Sequence, residues 1–531
     1  MLKGTRGLHL LRCLFGRISS PRRYHKQSSI SDFIQEGYFA DLLPRRSEKH
    51  LREIELSEKF AVYLGIDPSS DSLQLGNLVA LVGLLRCHIS GKDVIAVIGD
   101  GTVPIGDPAD RLTKRLLKSL DQYEVNTLSI KRQLETIMKN YWQQFVPNFN
   151  VHVSNSLTIL NNRQWLDKIN CLPFITGTAT HFRMPELLEK ESVKLRLRSG
   201  NGMDLSEFLY PIIQAIDFLH LFRNFGCLMQ IGGQDQLGNI QCGLDLIYRS
   251  QKQHAFGLTV PLLTSPSGEK LGKTSGGIQS DANAIWLSKE KLRPYSFYQR
   301  ILNLPDAYVS ARILQQLTFL SAVEINELLQ AHKESPDGRS AQKRLAEELT
   351  LLVHGADALQ ASQLATRIFF PKSKGATAYN RKSSELTSLE VITSDLTATE
   401  RNFLMQCLSP TASLLPVINV SHFDGEITLT EFEGLLSQTG SYPSSIDALK
   451  SCAHKGITFN DMIICKPGTS LEEIMQRNLP AGCHSELNAT KRHTLFGSSF
   501  HNALKRQDPA TGLCILKIGK HDHWFVMTRR P

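Results

Sequence analysis

Residues 60–66, FAVYLGI, form an almost unbroken apolar run that stops at a turn of Asp, Pro and Ser. The next apolar stretch, LGNLVALVGLLRCHI at 75–89, is too long for a strand and predicts a buried helix, and DVIAVIG at 93–99 returns to strand character. Continuous β-branched runs flanking an apolar helix predict parallel strands covered on both faces, and so an α/β layer fold. A second strand–helix alternation falls at LMQIGG and GLTVPLL. From about 290 the spacing turns to three and four residues, as in RILQQLTFL, AVEINELLQAHK and QKRLAEELTLLVHG, which predicts helices. Around 370–440 Ser, Thr and Pro rise and periodicity weakens, as in a linker. The last ninety residues mix short helical patterns with β runs such as CILKIG and HWFVM, and no internal repeat is visible.

Length and composition narrow the class. The 531 residues exceed a single core and imply about three domains. No apolar run approaches the length of a membrane span, so no membrane partner is expected. The ten cysteines contain no Cys-x-x-Cys pair, which argues against a zinc site or a disulfide framework and fits a reducing compartment. Residues 1–31 hold no Asp or Glu but carry Lys3, Arg6, Arg12, Arg17, Arg22, Arg23 and Lys26 among scattered leucines. That pattern predicts a mitochondrial transit peptide and a matrix location. It accounts for +7 of the formal +9, and residues 441–531 hold a further +5, so the middle is slightly acidic. The basic C-terminal region is the candidate nucleic-acid surface.

Three stretches carry candidate chemistry. The turn at 65–78, GIDPSSDSLQLGNL, joins a strand to a helix, where backbone N–H groups face an anion, although it is neither G-x-G-x-x-G nor a P-loop. PSGEKLGKTSGG at 266–277 sets Lys270 and Lys273 on a glycine-punctuated loop able to close over a polyphosphate. Between them lies FLYPIIQAIDFLHLFRNFGCLMQIGGQDQLGNI, in which Tyr210, Gln214 and Asp217 share one helix face and GGQDQ follows a short strand. A polar stripe in an apolar helix is costly unless it is satisfied or reads a ligand.

Taken in order, the L-x-L-G-N helix start, Y-x-x-x-Q-x-x-D, GGQDQ-x-G-N and KLGKT resemble the class I tyrosyl-tRNA synthetases, most of all the mitochondrial type. GSYPSSIDALKSCAHKGITFNDMIICKP near the C-terminus resembles the small RNA-binding domain shared with a small-subunit ribosomal protein. The resemblance spans about 35–531 and is weakest between 370 and 435. It implies a Rossmann-like catalytic domain over 32–288 with a dimer-forming insertion and a helical anticodon-binding domain over 289–370. A linker over 371–435 and an α+β RNA-binding domain over 436–531 would follow. It also implies roles. Tyr63 and Asp217 would bind the phenol hydroxyl of tyrosine. Tyr210, Gln214, Asp107 and Gln230 would hold its ammonium, supported by Asn162. Asp67, Gly76, Gly233, Asp235 and Gln236 would line the ATP and adenylate site. Lys270, Lys273 and Thr274 would form the lysine loop over pyrophosphate, with Gln74 and Asn77 at the first signature. The activity implied is ATP-dependent attachment of tyrosine to tRNA(Tyr) by a homodimer. Mg²⁺ would accompany ATP, with no tightly bound cofactor and no metal held by protein ligands.

Departures from the family pattern mark where rate is at stake. The first signature, usually His-x-Gly-His, reads Gln74-Leu75-Gly76-Asn77; Gln234 stands where Ser is common; and SGGIQSDANAIWL is a few residues longer than its usual counterpart. Pro211 removes a backbone donor next to Tyr210 and predicts a kink there. Gln74 and Pro211 keep open a second reading, a catalytically weak relative acting as an RNA-binding protein; intact KLGKT, Asp235 and Gln236 oppose it. A tryptophan-specific relative is opposed by Tyr63 with Asp217 and by the C-terminal domain.

Overall fold

The computed structural model describes residues 28–109, 118–149, 156–198, 202–263, 284–370, 397–407, 414–415, 417–420, 457–459, 462–465, 513–518 and 522–528. The chain divides into two compact units, Met1–Ser288 with Arg300–Gly355, and Lys289–Gln299 with Ala356–Pro531.

The first unit is built on a six-stranded sheet: β1 (Asp41–Leu43), β2 (Ala61–Ile66), β3 (Asp93–Ile98), β4 (Leu157–Asn161), β5 (Cys227–Gly233) and β6 (Phe256–Val260). Its order is β1-β6-β5-β2-β3-β4, parallel throughout except for β1, which runs antiparallel to β6 at the edge. The expected strand, helix, strand sequence is present as β2, α1 (Leu75–Ile89) and β3. α1 is apolar on nearly every side because it is buried; a Cβ on Gly83 would press on Val260 and Phe39, so glycine lets the helix lie close to the sheet. The sheet order doubles back between β2 and β5, with Tyr63 and Gln230 as register partners across that seam. Ligands of open α/β sheets bind beyond the strand ends at such a reversal.

Three more helices complete the sheet layers: α2 (Leu120–Gln144), α3 (Leu205–Phe225) and α4 (Leu237–Gln251). α3 is a single 21-residue helix that continues across Pro211 and ends at Gly226, whose left-handed backbone (φ 60°) lets its N–H reach the Leu221 carbonyl. The helical pattern beyond 300 appears as α5 (Ala311–Leu317), α6 (Ala322–Glu334) and α7 (Ser340–His354), which pack on the same unit. α5 stops at Leu317, short of the expected RILQQLTFL, and Arg86 from the end of α1 holds that terminus. Its guanidinium donates to the Gln315 carbonyl at 2.8 Å and to the Thr318 carbonyl, and lies 3.7 Å from the centre of the Tyr38 ring. The N-terminal helix Ile30–Gln35 is sewn in as well, the Glu55 carboxylate accepting the Ile30 N–H (2.7 Å) and Ser31 N–H (3.2 Å).

The second unit contains α8 (Ala356–Phe369) and α9 (Ala398–Cys407), with Tyr295, Leu364, Ile368, Phe369 and Leu404 in a shared apolar core. It also holds a five-stranded sheet of β7 (Val417–Val420), β8 (Ile457–Phe459), β9 (Met462–Cys465), β10 (Leu513–Ile518) and β11 (Asp522–Thr528), ordered β7-β11-β10-β8-β9. β10 and β11 are the runs expected from CILKIG and HWFVM.

Candidate active site

The residues singled out from sequence converge at the strand ends beside the β2–β5 seam. Tyr63 projects from β2, Asp67 follows its last residue, and Asn162 follows β4. Tyr210, Gln214 and Asp217 lie on α3 as the spacing required. Gln230 is on β5, and Gln236 ends the single turn Gln234–Gln236 beyond that strand. Asp107 is reached through Gln236, whose amide donates to its carboxylate at 2.6 Å.

Two hydrogen-bond clusters, one around Asp67 and Asp217 and one around Asp107, make up a network that takes in most of them. The Tyr210 hydroxyl donates to Asp67 Oδ2 at 2.7 Å, and the Thr102 hydroxyl donates to Asp67 Oδ1 at 2.8 Å. Asn162 donates from Nδ2 to Thr102 Oγ1 (3.2 Å) and Asp217 Oδ2 (2.9 Å), while its Oδ1 accepts the Gly101 N–H at 2.8 Å. The other Asp217 oxygen accepts the Trp165 indole N–H at 2.7 Å. Across the site, Asn239 donates to Asp107, Gln214 and Gln236. The sets assigned separately to ammonium and to ATP are therefore cross-linked: Asp67 is bound to Tyr210, and Gln236 to Asp107. Asn162 touches Asp217 directly and reaches the Tyr210 side only through Thr102 and Asp67.

Burial sets the electrostatics of the carboxyls here. Among the described residues, the partners of Asp107 and Asp217 are all neutral donors. Burial, only partly offset by those donors, raises the Asp107 carboxyl and lifts Asp217 to about 7. Two buried polar atoms are left over: the Tyr63 hydroxyl and Gln230 Oε1 have no hydrogen-bond partner among the described residues. They sit on register partners across the seam. Burial, with Asp217 next, pushes the Tyr63 phenol upward, so it stays a neutral donor and acceptor.

The first signature stands apart from this network. Gln74 caps α1 with extended backbone, and its N–H is accepted by Asn77 Oδ1 at 2.9 Å, so Asn77 fixes the helix start. Gly76 lies in the first turn, where an added Cβ would meet nothing. The strand-like pairing of Leu73–Leu75 with Ile285–Leu287, through Leu287 N–H to Leu73 O (2.9 Å) and Leu75 N–H to Ile285 O (3.1 Å), anchors the chain just after the lysine stretch. Lys270, Lys273 and Thr274 themselves lie outside the described residues. Gly233 ends β5, and Asp235 beside it is half-buried. Sequence reading missed Thr102, Trp165 and Asn239. Trp165 sits three residues after Asn162 on the short helix Arg163–Leu166, and Asn239 was in plain view in GGQDQLGN. It also missed Gln133 of α2, which accepts the Leu73 N–H at 3.0 Å and donates to the Asp71 carbonyl at 2.9 Å, bracing the turn before Gln74.

Comparison with known proteins places these residues in context. The family described as tRNA synthetases class I (W and Y) matches residues 55–371. The chain is 39% identical over 346 residues to the mitochondrial tyrosine–tRNA ligase of Homo sapiens, covering 64% of this chain and 70% of that protein. It is 34% identical over 366 residues to the Drosophila melanogaster mitochondrial enzyme, covering 68% and 77%. Among solved structures, a C-terminally truncated Aspergillus nidulans mitochondrial tyrosyl-tRNA synthetase is similar with a TM-score of 0.58 and 28% identity, covering 65% of this chain and 94% of that one.

Proposed function

The chain belongs to the class I tRNA synthetases of the tryptophan and tyrosine group, and from that premise we infer that the β2–β5 seam is where tyrosine is read. The chain catalyses tyrosine–tRNA ligation: tyrosine and ATP give tyrosyl-adenylate and pyrophosphate, and the tyrosyl group then passes to tRNA(Tyr). The reading as an RNA-binding relative without strong activity is not favoured, since the relatives are tyrosine–tRNA ligases.

The observation that carries the site assignment is the Tyr63 hydroxyl, buried beside Asp217 and without a hydrogen-bond partner among the described residues. A buried hydroxyl without a partner is costly, and a ligand hydroxyl placed between Tyr63 and Asp217 removes that cost. Phenylalanine offers nothing there, so the site rejects it by leaving both groups unpaired. The substrate ammonium meets Tyr210 of one cluster and Gln214 and Asp107 of the other, with Gln230 beside them, all supplying oxygen acceptors. Asp67, Gly76, Gly233, Asp235 and Gln236 border the ATP and adenylate position. Gln74 donates from its amide toward the α-phosphate, and Lys270, Lys273 and Thr274 neutralise the departing pyrophosphate together with Mg²⁺. No covalent nucleophile is needed.

The wider assembly follows the same reading. The basic segment at the start of the 1–31 stretch acts as a leader into the mitochondrial matrix; since Ile30 is fully buried and Ser29 caps its helix, residues 29–31 stay with the folded protein and the leader ends before Ser29. The insertion between β4 and α3 exposes a run of apolar side chains, with Leu172 73% exposed and Ile175, Leu188 and Leu197 also outward, and forms the homodimer contact. The helices after Ser288 read the anticodon and 436–531 bind RNA. Charging of tRNA(Tyr) with labelled tyrosine by the purified chain tests the whole reading; no charging at saturating substrates would reject it.

A further inference from the structure

We propose that His220 is a positioning residue for tyrosine selection, its imidazole stacked on the Trp165 indole so that the indole N–H stays aimed at Asp217. This rests on the reading of Asp217 as the group that meets the phenol.

Asp217 is 5% exposed and is gripped from one short segment: Asn162 holds one oxygen and Trp165, three residues on, holds the other. Asn162 is fixed independently, because its amide also engages the Gly101 N–H and Thr102. Trp165 has one polar atom, and nothing in that single N–H bond fixes rotation of the ring about it. The indole is seated at the edge of the apolar core, and His220 adds a flat face against its ring. This histidine lies one helical turn beyond Asp217 on α3, and its ring sits 4.4 Å from the indole centre with only 10° between the planes. The tryptophan is thus bound to α3 twice, by its edge at Asp217 and by its face at His220. His220 is itself braced by Asn224, whose amide lies 3.3 Å from Nδ1 and donates to the His220 carbonyl at 2.8 Å, and by the Phe225 ring at 6.2 Å. A group meant to select a phenol must be held to within a fraction of an ångström, and the stack sets that tolerance here.

The test is ATP–pyrophosphate exchange with tyrosine and with phenylalanine on the full chain, comparing wild type, His220→Ala and His220→Phe. For His220→Ala the expected result is a roughly three- to tenfold rise in KM for tyrosine, the range that an aromatic stack spans. Selectivity over phenylalanine should fall by a similar factor, with kcat at saturating tyrosine within about twofold. His220→Phe, which restores a flat ring, should bring both back to within about twofold of wild type. Should His220→Ala not fold, His220→Leu takes its place with the same expectation. An unchanged KM and selectivity on removal of the ring would overturn the proposal, and so would a loss that the Phe variant does not repair. If the wild-type chain shows no tyrosine-dependent exchange, it is the functional reading that has failed.

Discussion

Asp217→Asn should separate what the site does from what the fold tolerates. In the native protein Asp217 is buried with neutral partners among the described residues, and burial lifts its carboxyl from the ordinary 3.8 to about 7. The folded form thus holds a proton that the unfolded chain releases near pH 4. The stability this contributes is complete at low pH and is lost as pH rises through about 7. At about 1.4 kcal/mol per unit, wild type should lose about 2 kcal/mol through this group between about pH 5.5 and about pH 8. The Asn variant carries no such dependence. It does incur a fixed cost, because both Asn162 and Trp165 present N–H donors and the new amide has only one oxygen, leaving two donors face to face at about 1–2 kcal/mol. Urea denaturation of both proteins without substrate, at the two pH values, gives the comparison. The variant-minus-wild-type difference should shift in the variant's favour by about 2 kcal/mol on going to the higher pH, whatever its absolute level. A shift below about 0.5 kcal/mol would refute the view that Asp217 is held protonated by burial.

Arg86→Ala should lower stability by about 3 kcal/mol, since it strips the Gln315 carbonyl of α5 and the Thr318 carbonyl just beyond it of a charged donor and Tyr38 of its stacked cation, and Arg86→Lys should recover only part of this because an ammonium lacks the planar fork; an unchanged urea midpoint would contradict this. Gln74→Ala should slow adenylate formation with little change in tyrosine affinity, and Gln74→His should match or exceed wild type, as single-turnover kinetics will show. Deleting residues 441–531 should weaken tRNA binding and flatten its salt dependence, because +5 of net charge lies there, while leaving pyrophosphate exchange intact; filter binding over a salt series reads the first and exchange the second.

The catalytic core was legible in the sequence wherever a local pattern carried it. β2, α1 and β3 are continuous apolar runs, and the stripe Tyr210, Gln214, Asp217 depends only on helical period. β4 was not legible, because LTILN is a short strand at the sheet edge, half-buried along its length and without alternation. α5 ends three residues early because Thr318 and Phe319 leave the helix where Arg86, more than two hundred residues upstream in sequence, takes the carbonyls. The same distance hides the network. Thr102 matters through Asp67 and Asn162, beyond the ends of the neighbouring strands β2, β3 and β4, and Trp165 through Asp217 and His220 on α3, pairs brought together only by the folded sheet and the helix against it. Family resemblance supplied the roles of Tyr63 and Asp217; the geometry adds that the Tyr63 hydroxyl is buried and unpartnered.

That orphaned hydroxyl offers the most direct test, because the account demands opposite signs from one substitution. Tyr63→Phe removes a buried, unsatisfied polar group, so the substrate-free protein should be as stable as wild type or more so. The same change removes one of the two groups that meet the phenol, so preference for tyrosine over phenylalanine in ATP–pyrophosphate exchange should drop roughly five- to tenfold. Equal or greater stability with reduced selectivity is the predicted result; a Tyr63→Phe protein that is clearly less stable yet keeps the wild-type preference for tyrosine would contradict it.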